Sequence, residues 1–417
     1  MMYVHARLLP LLLVLLAFNG VRAQGPTPPD FGQYVREQHK LFTALYEKRD
    51  AAGYTRLMDG WLQRYAQLPD SLQKQFKPSL INVYYRLSCT YAQLRQKGPA
   101  LDYLQRSIQA GNNNYSYMQQ DSALNGLRQD PQFIALMEPL RATGDFMYIL
   151  RRGGAYNAKD QRALPAFTYQ SAADSNLTAL RTGFNLDSVA GKGSEVSKVL
   201  NLLHWVHELI PHDGNHENPP VRNALAMIGV CKSEKRGLNC RGLSTVLNEC
   251  YLAMGFKSRL VTCLPKDSLG TDFDCHVINV VYIPSLKKWI WTDPTQDAYV
   301  MNEKGDLLDI REVRERLING QPLILNPTAN WNHQVSAVKE QYLYQYMAKN
   351  LYRLQCPVNS KYNMELGEPG KTIQYIQLLP LDYFKQDPAV RTSTTKSGTK
   401  YEYYNTNNPD AFWQLPL

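Results

Sequence analysis

The stretch from residue 238 to residue 294 restricts the fold more than any other part of the chain. Asn239 is a natural N-cap, and behind it Leu243, Val246, Leu247, Cys250 and Met254 fall on one helical stripe that Gly255 closes. Lys257–Leu264 then reads as a strand ended by Pro265, and His276–Ile283 as a second strand. Trp289–Thr292 reads as a third, stopping at Asp293-Pro294. A capped helix followed by strands that fold back on one another defines an α+β class.

The same stretch carries the chemistry. Its cap places Cys240 in the first helical turn, where free backbone N–H groups and the positive dipole end favour thiolate. They draw down a thiol pKa that is ordinarily about 8.5, and they can also hold an oxyanion. Cys250, deeper on the stripe, reads as a packed small hydrophobe. His276 and Asp293 stand 17 residues apart, with the turn Pro284-Ser285-Leu286 at their midpoint. Antiparallel pairing about that turn sets them opposite each other on one face. The carboxylate there orients the imidazole, and the ring takes the thiol proton. Taken singly, a helical cysteine is usually structural, a strand histidine is usually a satisfied core group, and Asp-Pro is commonly a turn. Their order and placement together predict a triad of Cys240, His276 and Asp293.

Residues from about 195 to 300 resemble the transglutaminase-like superfamily, whose core has a papain-type arrangement. The resemblance rests on Leu238-Asn239-Cys240, Gly255-Phe256-Lys257-Ser258-Arg259, Cys275-His276-Val277 and Trp291-Thr292-Asp293-Pro294-Thr295. It implies acyl transfer through a thioester on Cys240, with a peptide, protein or glycopeptide as substrate and no cofactor. The chain departs from the family pattern at Leu238, where glycine is usual, and at Val277 and Ile278, which replace a small residue and tryptophan. Trp205, Asn223 and Asn239 are open alternatives for the oxyanion-hole side chain.

His204, His207, His212 and His216, interspersed with Glu208, Asp213 and Glu217, form a competing cluster. It lacks the HExxH spacing and continues into a loop from Pro211 to Pro220, so no metal is assigned. Seven cysteines leave at least one unpaired if the others form disulfides, and their spacing is not that of a small disulfide scaffold.

Residues 1–23 read as a cleavable leader: basic residues, an apolar run from Leu8 to Phe18, then Val21-Arg22-Ala23. The expected location is secreted or periplasmic, without stable membrane insertion and without a lipid-anchor cysteine. Loss of Arg7 and Arg22 with the leader would take the net charge from +9 to +7. The remaining basic residues are scattered, which argues against nucleic acid. Residues 24–150 read as a helical domain, with 81–114 resembling one tetratricopeptide repeat through Tyr84, Leu87, Ser88, Tyr91, Ala100, Leu104 and Ser107. Those helices are the expected surface for a protein partner. A boundary is expected near Gly153, followed by a papain-like core over 155–310 and its C-terminal extension over 311–417. The alternatives are a binding protein on the same fold that does not catalyse, and an envelope scaffold.

Overall fold

The computed structural model describes residues 31–266, 274–383 and 386–416; the leader expected at 1–23 lies outside them. The chain divides into two compact units between Gly111 and Asn112, some forty residues ahead of the boundary expected near Gly153. The short helices from Tyr115 to Arg152 go with the second unit, where Leu150 joins the core beneath the large sheet. Among the described residues, no helix is long and apolar enough to cross a membrane.

Among its described residues the first unit has four helices: α1 (Phe31–Glu47), α2 (Ala51–Ala66), α3 (Asp70–Gln93) and α4 (Lys97–Gln109). Tyr54, Met58, Trp61 and Leu87 form its core. Pro69 caps α3 and Gly98-Pro99 fall in the first turn of α4, where a missing N–H costs nothing. Pro78, a residue type that ordinarily breaks a helix, lies inside α3 at an exposed position. Ser88 and Ser107 are fully buried and donate to the carbonyls of Ala100 (2.7 Å) and Ile81 (3.0 Å). Their hydroxyls therefore tie α3 to α4 where a smaller residue would only pack.

The second unit is α+β. Its helices include α5 (Glu195–Leu209), α6 (Ala224–Glu234), α7 (Cys240–Ala253) and α8 (Ile310–Asn319). Seven strands make one mixed sheet: β1 (Ser258–Leu264), β2 (His276–Ile283), β3 (Lys288–Thr292), β4 (Arg353–Pro357), β5 (Thr372–Leu378), β6 (Val390–Thr394) and β7 (Lys400–Thr406). The spatial order is β6-β7-β5-β4-β1-β2-β3, with β5 and β7 parallel and the other pairs antiparallel. The sheet thus runs without a break from the strands around His276 into those beyond residue 350. The helical pattern of the sequence from Gln341 runs on to Leu354, but the helix ends at Asn350 and Arg353 opens β4.

Both faces of the sheet are covered, which is why β2 is apolar almost throughout. Val281 and Ile283 pack under α5, α6 and α7, while Ile278 and Val280 pack against α8, Leu343 and Met347. Arg259 of β1 is buried, with no carboxylate partner among the described residues. Its guanidinium donates to Tyr169 Oη (2.6 Å) and to the carbonyls of Phe412 (2.8 Å) and Gln414 (2.7 Å). The rings of Phe167 and Trp289 lie 3.8 and 4.4 Å from it. Aromatic faces and carbonyl oxygens together replace the water this cation has lost.

Candidate active site

Helix α7 starts where the sequence places it. The Asn239 side chain accepts from the N–H groups of Arg241 (3.1 Å) and Gly242 (3.2 Å). Asn218 locks that cap, accepting from Asn239 N (3.1 Å) and donating to Asn239 Oδ1 (2.7 Å). Gly242 is required by this approach, because a Cβ there would lie 2.6 Å from Asn218 Oδ1. Two buried polar ties seat α7 on β2: Ser244 Oγ donates to Val277 O (2.7 Å) and Asn279 Nδ2 donates to Ser244 O (3.0 Å). Cys240 packs on Leu260, Val277 and Met364 and opens onto a cavity of about 360 Å³ shared with His212, Cys275 and Tyr346. A larger cavity of about 490 Å³, bounded by Glu195, Lys257 and Pro284, has no thiol or imidazole among the described residues of its wall.

The β2–β3 register differs from the expected one by two residues. Asn279 pairs with Thr292 and Ile283 with Lys288, so Asp293 falls opposite Ile278 rather than His276. The connection is longer than a bare turn: a 3₁₀ turn over Pro284–Leu286 is followed by Lys287 in the left-handed region. A shift of two preserves the face, and the pair meets diagonally. His276 Nε2 lies 2.7 Å from Asp293 Oδ2, with His276 2% exposed and Asp293 fully buried. Thr295 N donates to Asp293 Oδ1 (2.8 Å), and Tyr342 Oη donates to Oδ2 (2.5 Å). Burial opposes the charge on Asp293, but the imidazole and these donors win and hold the carboxyl below its ordinary pKa.

His276 itself is pushed well above its ordinary pKa: burial works against the cation, and Asp293 overcomes it. With Nε2 on Asp293, Nδ1 is buried with no hydrogen-bond partner among the described residues, which leaves it as the ring nitrogen available to the thiol. Burial would raise the Cys240 thiol, but His212, His276 and the Val277 backbone together bring it down to about 6. All seven cysteines are free thiols, so the odd count does not single out Cys240; its surroundings do. Cys250, Cys263 and Cys356 are fully buried in apolar surroundings, which drive their thiols upward.

Three further residues about this site went unread in the sequence. A helix over residues 339–350 is π-wound from Tyr342 to Met347, bringing two tyrosines four apart onto one line. Tyr342 holds Asp293, while the Tyr346 ring meets the His276 ring edge-on, with centroids 5.2 Å apart. The third is Trp331, which donates from Nε1 to His212 Nδ1 (3.2 Å). The four-residue tyrosine spacing was visible, but only the fold shows which strand end it faces.

The histidine cluster does not converge. His204 Nδ1 pairs with Asp297 Oδ2 (2.9 Å) and His216 Nδ1 with Asp213 Oδ2 (2.5 Å), while His212 turns into the Cys240 cavity. His207, Glu208 and His333 do bring ligand atoms within 4.8 Å of one another. Both His207 nitrogens, however, are engaged, by Pro294 O (3.0 Å) and Asn330 Oδ1 (3.1 Å). His207 thus braces the turn that carries Asp293.

Gly237 accounts for the departure at Leu238. The segment before Cys240 runs beside the His212 loop, with Leu238 N donating to Pro211 O (3.1 Å) and Asp213 N donating to Leu238 O (2.8 Å). A Cβ on Gly237 would sit 2.3 Å from Pro211 O. Gly237→Ala is therefore expected to destabilise the protein by roughly 1–3 kcal/mol. A urea midpoint that falls at unchanged slope would show it.

Residues 183–294 match the model of the Transglutaminase-like superfamily, a span that includes Cys240, His276 and Asp293. The chain therefore carries a transglutaminase-like superfamily domain, preceded by a helical region. Among solved structures, a candidate cysteine protease from Cytophaga hutchinsonii is similar over 31% of this chain and 40% of its own, at 17% identity and a TM-score of 0.22. This chain thus spans less than half the length of that protein. No curated protein matches it.

Proposed function

We propose that the protein is an exported thiol hydrolase that cleaves a peptide or side-chain amide through a thioester on Cys240. The observation that carries this reading is a thiol at a helix start, open to a cavity, that the buried His276 imidazole, itself oriented by a carboxylate, helps bring down to about 6. Cys240 Sγ attacks the carbonyl carbon as thiolate. His276 Nδ1 delivers its proton to the leaving nitrogen as the C–N bond breaks. Water then attacks the thioester, giving its proton to Nδ1, and the acid leaves as the thiol is restored. Hydrolysis is preferred to transfer because water is the acceptor in excess. Export rests on the leader-like pattern of residues 1–23. The helical first unit is proposed to engage a protein partner or the polymeric substrate.

The test is mass spectrometry of products from peptide and glycopeptide libraries, with wild type and Cys240→Ala in parallel. New carboxylic acids from wild type alone are expected. Amide adducts exceeding acid when an amine is added would make the protein a cross-linking transferase. Identical patterns from both proteins would leave binding without catalysis as its function.

A further inference from the structure

We propose that His212 is the side-chain donor of the oxyanion hole, fixed by Trp331 as the neutral tautomer with its proton on Nε2. The assignment rests on the thioester reading above and adds a residue to it. The indole N–H is a donor only, so His212 Nδ1, 3.2 Å away, must present a lone pair. The proton then sits on Nε2, and an imidazolium would set two N–H groups against each other. The ring is held from two further sides. Its backbone exchanges hydrogen bonds with the Asn332 side chain, at 2.7 Å into Oδ1 and 2.8 Å from Nδ2. It also lies beside Leu238, two residues before the nucleophile, in a short parallel bridge.

His212 and Cys240 line the same cavity, and the imidazole is among the groups that draw the thiol pKa down, as a donor near the sulfur does. A donor within reach of the sulfur also reaches the carbonyl oxygen of a carbon bonded to it. The second donor is the backbone N–H of Cys240, in the first turn of α7, which bonds no protein group among the described residues. Of the three candidates read from sequence, Trp205 packs on the Phe184 ring, Asn223 caps α6, and Asn239 gives its side-chain carbonyl to the α7 cap.

An oxyanion forms when the thiolate attacks a carbonyl and does not form when it displaces iodide, and this difference tests the assignment. Two rates are measured at pH 8: the p-nitrophenolate burst from p-nitrophenyl acetate, and alkylation of Cys240 by iodoacetamide. His212→Ala is expected to slow the burst about 10²–10³-fold, the usual loss for one oxyanion donor, and to change alkylation less than about tenfold. His212→Gln, which restores an N–H, should recover the burst to within about tenfold of wild type, with Trp331→Phe between the two alanine and glutamine results. A burst and an alkylation rate that fall together in His212→Ala, or a burst that does not fall, would overturn the assignment while leaving the nucleophile in place. A wild-type burst no larger than that of Cys240→Ala would instead overturn the thioester reading, and this assignment with it.

Discussion

Asp293→Asn is expected to lower kcat by about 10³–10⁴ with little change in KM, measured on whichever library substrate Cys240 turns over. The carboxylate accepts from three donors at once: His276 Nε2–H, Tyr342 Oη–H and Thr295 N–H. An asparagine has one oxygen to offer. Turned toward His276, it leaves its NH₂ against the Thr295 N–H; turned the other way, it sets that NH₂ against His276 and selects the wrong tautomer. Either orientation strands a buried donor, costing roughly 1–3 kcal/mol of stability without removing the fold. The effect on charge has a definite sign. Asp293 is what lifts His276 above its ordinary pKa, so its loss lowers the imidazolium population. Less imidazolium means less stabilised thiolate, and the Cys240 midpoint should rise from about 6 toward that of an ordinary thiol. An iodoacetamide rate–pH profile reads this shift, and a midpoint that stays near 6 would separate Asp293 from the thiol.

In the wild type, brief alkylation at about pH 6 should label Cys240 at least about 100-fold faster than any other cysteine, as read by peptide mapping. At that pH a thiol of midpoint about 6 is half ionised, whereas one near 8.5 is about 0.3% thiolate. That is a gain of roughly 150-fold in the reactive form, and the lower basicity of the sulfur returns about a tenfold factor of it. The rest of the margin comes from access. Cys250, Cys263 and Cys356 are sealed in the core, and Cys275, although it shares the cavity wall, is raised by burial and by the neighbouring Cys240. Raising the pH to about 9 should close part of the gap, because Cys240 is already ionised while the others are not.

Much of this site was legible in the sequence for local reasons. Asn239, the apolar stripe behind Cys240 and Gly255 describe one helix without any tertiary information, and α7 has those limits within two residues. The strands around His276 and Asp293 were legible as apolar runs. Their register was not, because it depends on how many residues the turn consumes, and Lys287 in the left-handed region adds to a turn that looked shorter. The error was even, so the two side chains stayed on one face. Tyr342, Tyr346 and Trp331 were hidden because they reach the site from elements 49 or more residues from Cys240 and Asp293, or through another side chain. His212 was visible as one of a group of histidines, but spacing alone grouped it with residues that the fold sends elsewhere. Pro78 shows the opposite failure: a local breaker tolerated because Phe76 before it packs on Phe31, and Leu80 and Val83 after it join the core.

The Arg259 clamp sets the smallest piece of this chain that can be expected to fold. The family segment, residues 183–294, contains Cys240, His276 and Asp293. Cut at those borders, however, it would keep Arg259 and lose Phe167, Tyr169 and the carbonyls of Phe412 and Gln414 that make burying a cation tolerable. It would also expose the edge of β1 that β4 now covers, and would lack the Tyr342 hydroxyl that holds Asp293. Anyone dissecting this protein should therefore cut outside Phe167 and Gln414, because the proposed triad lies within the family segment and the structural support for it does not.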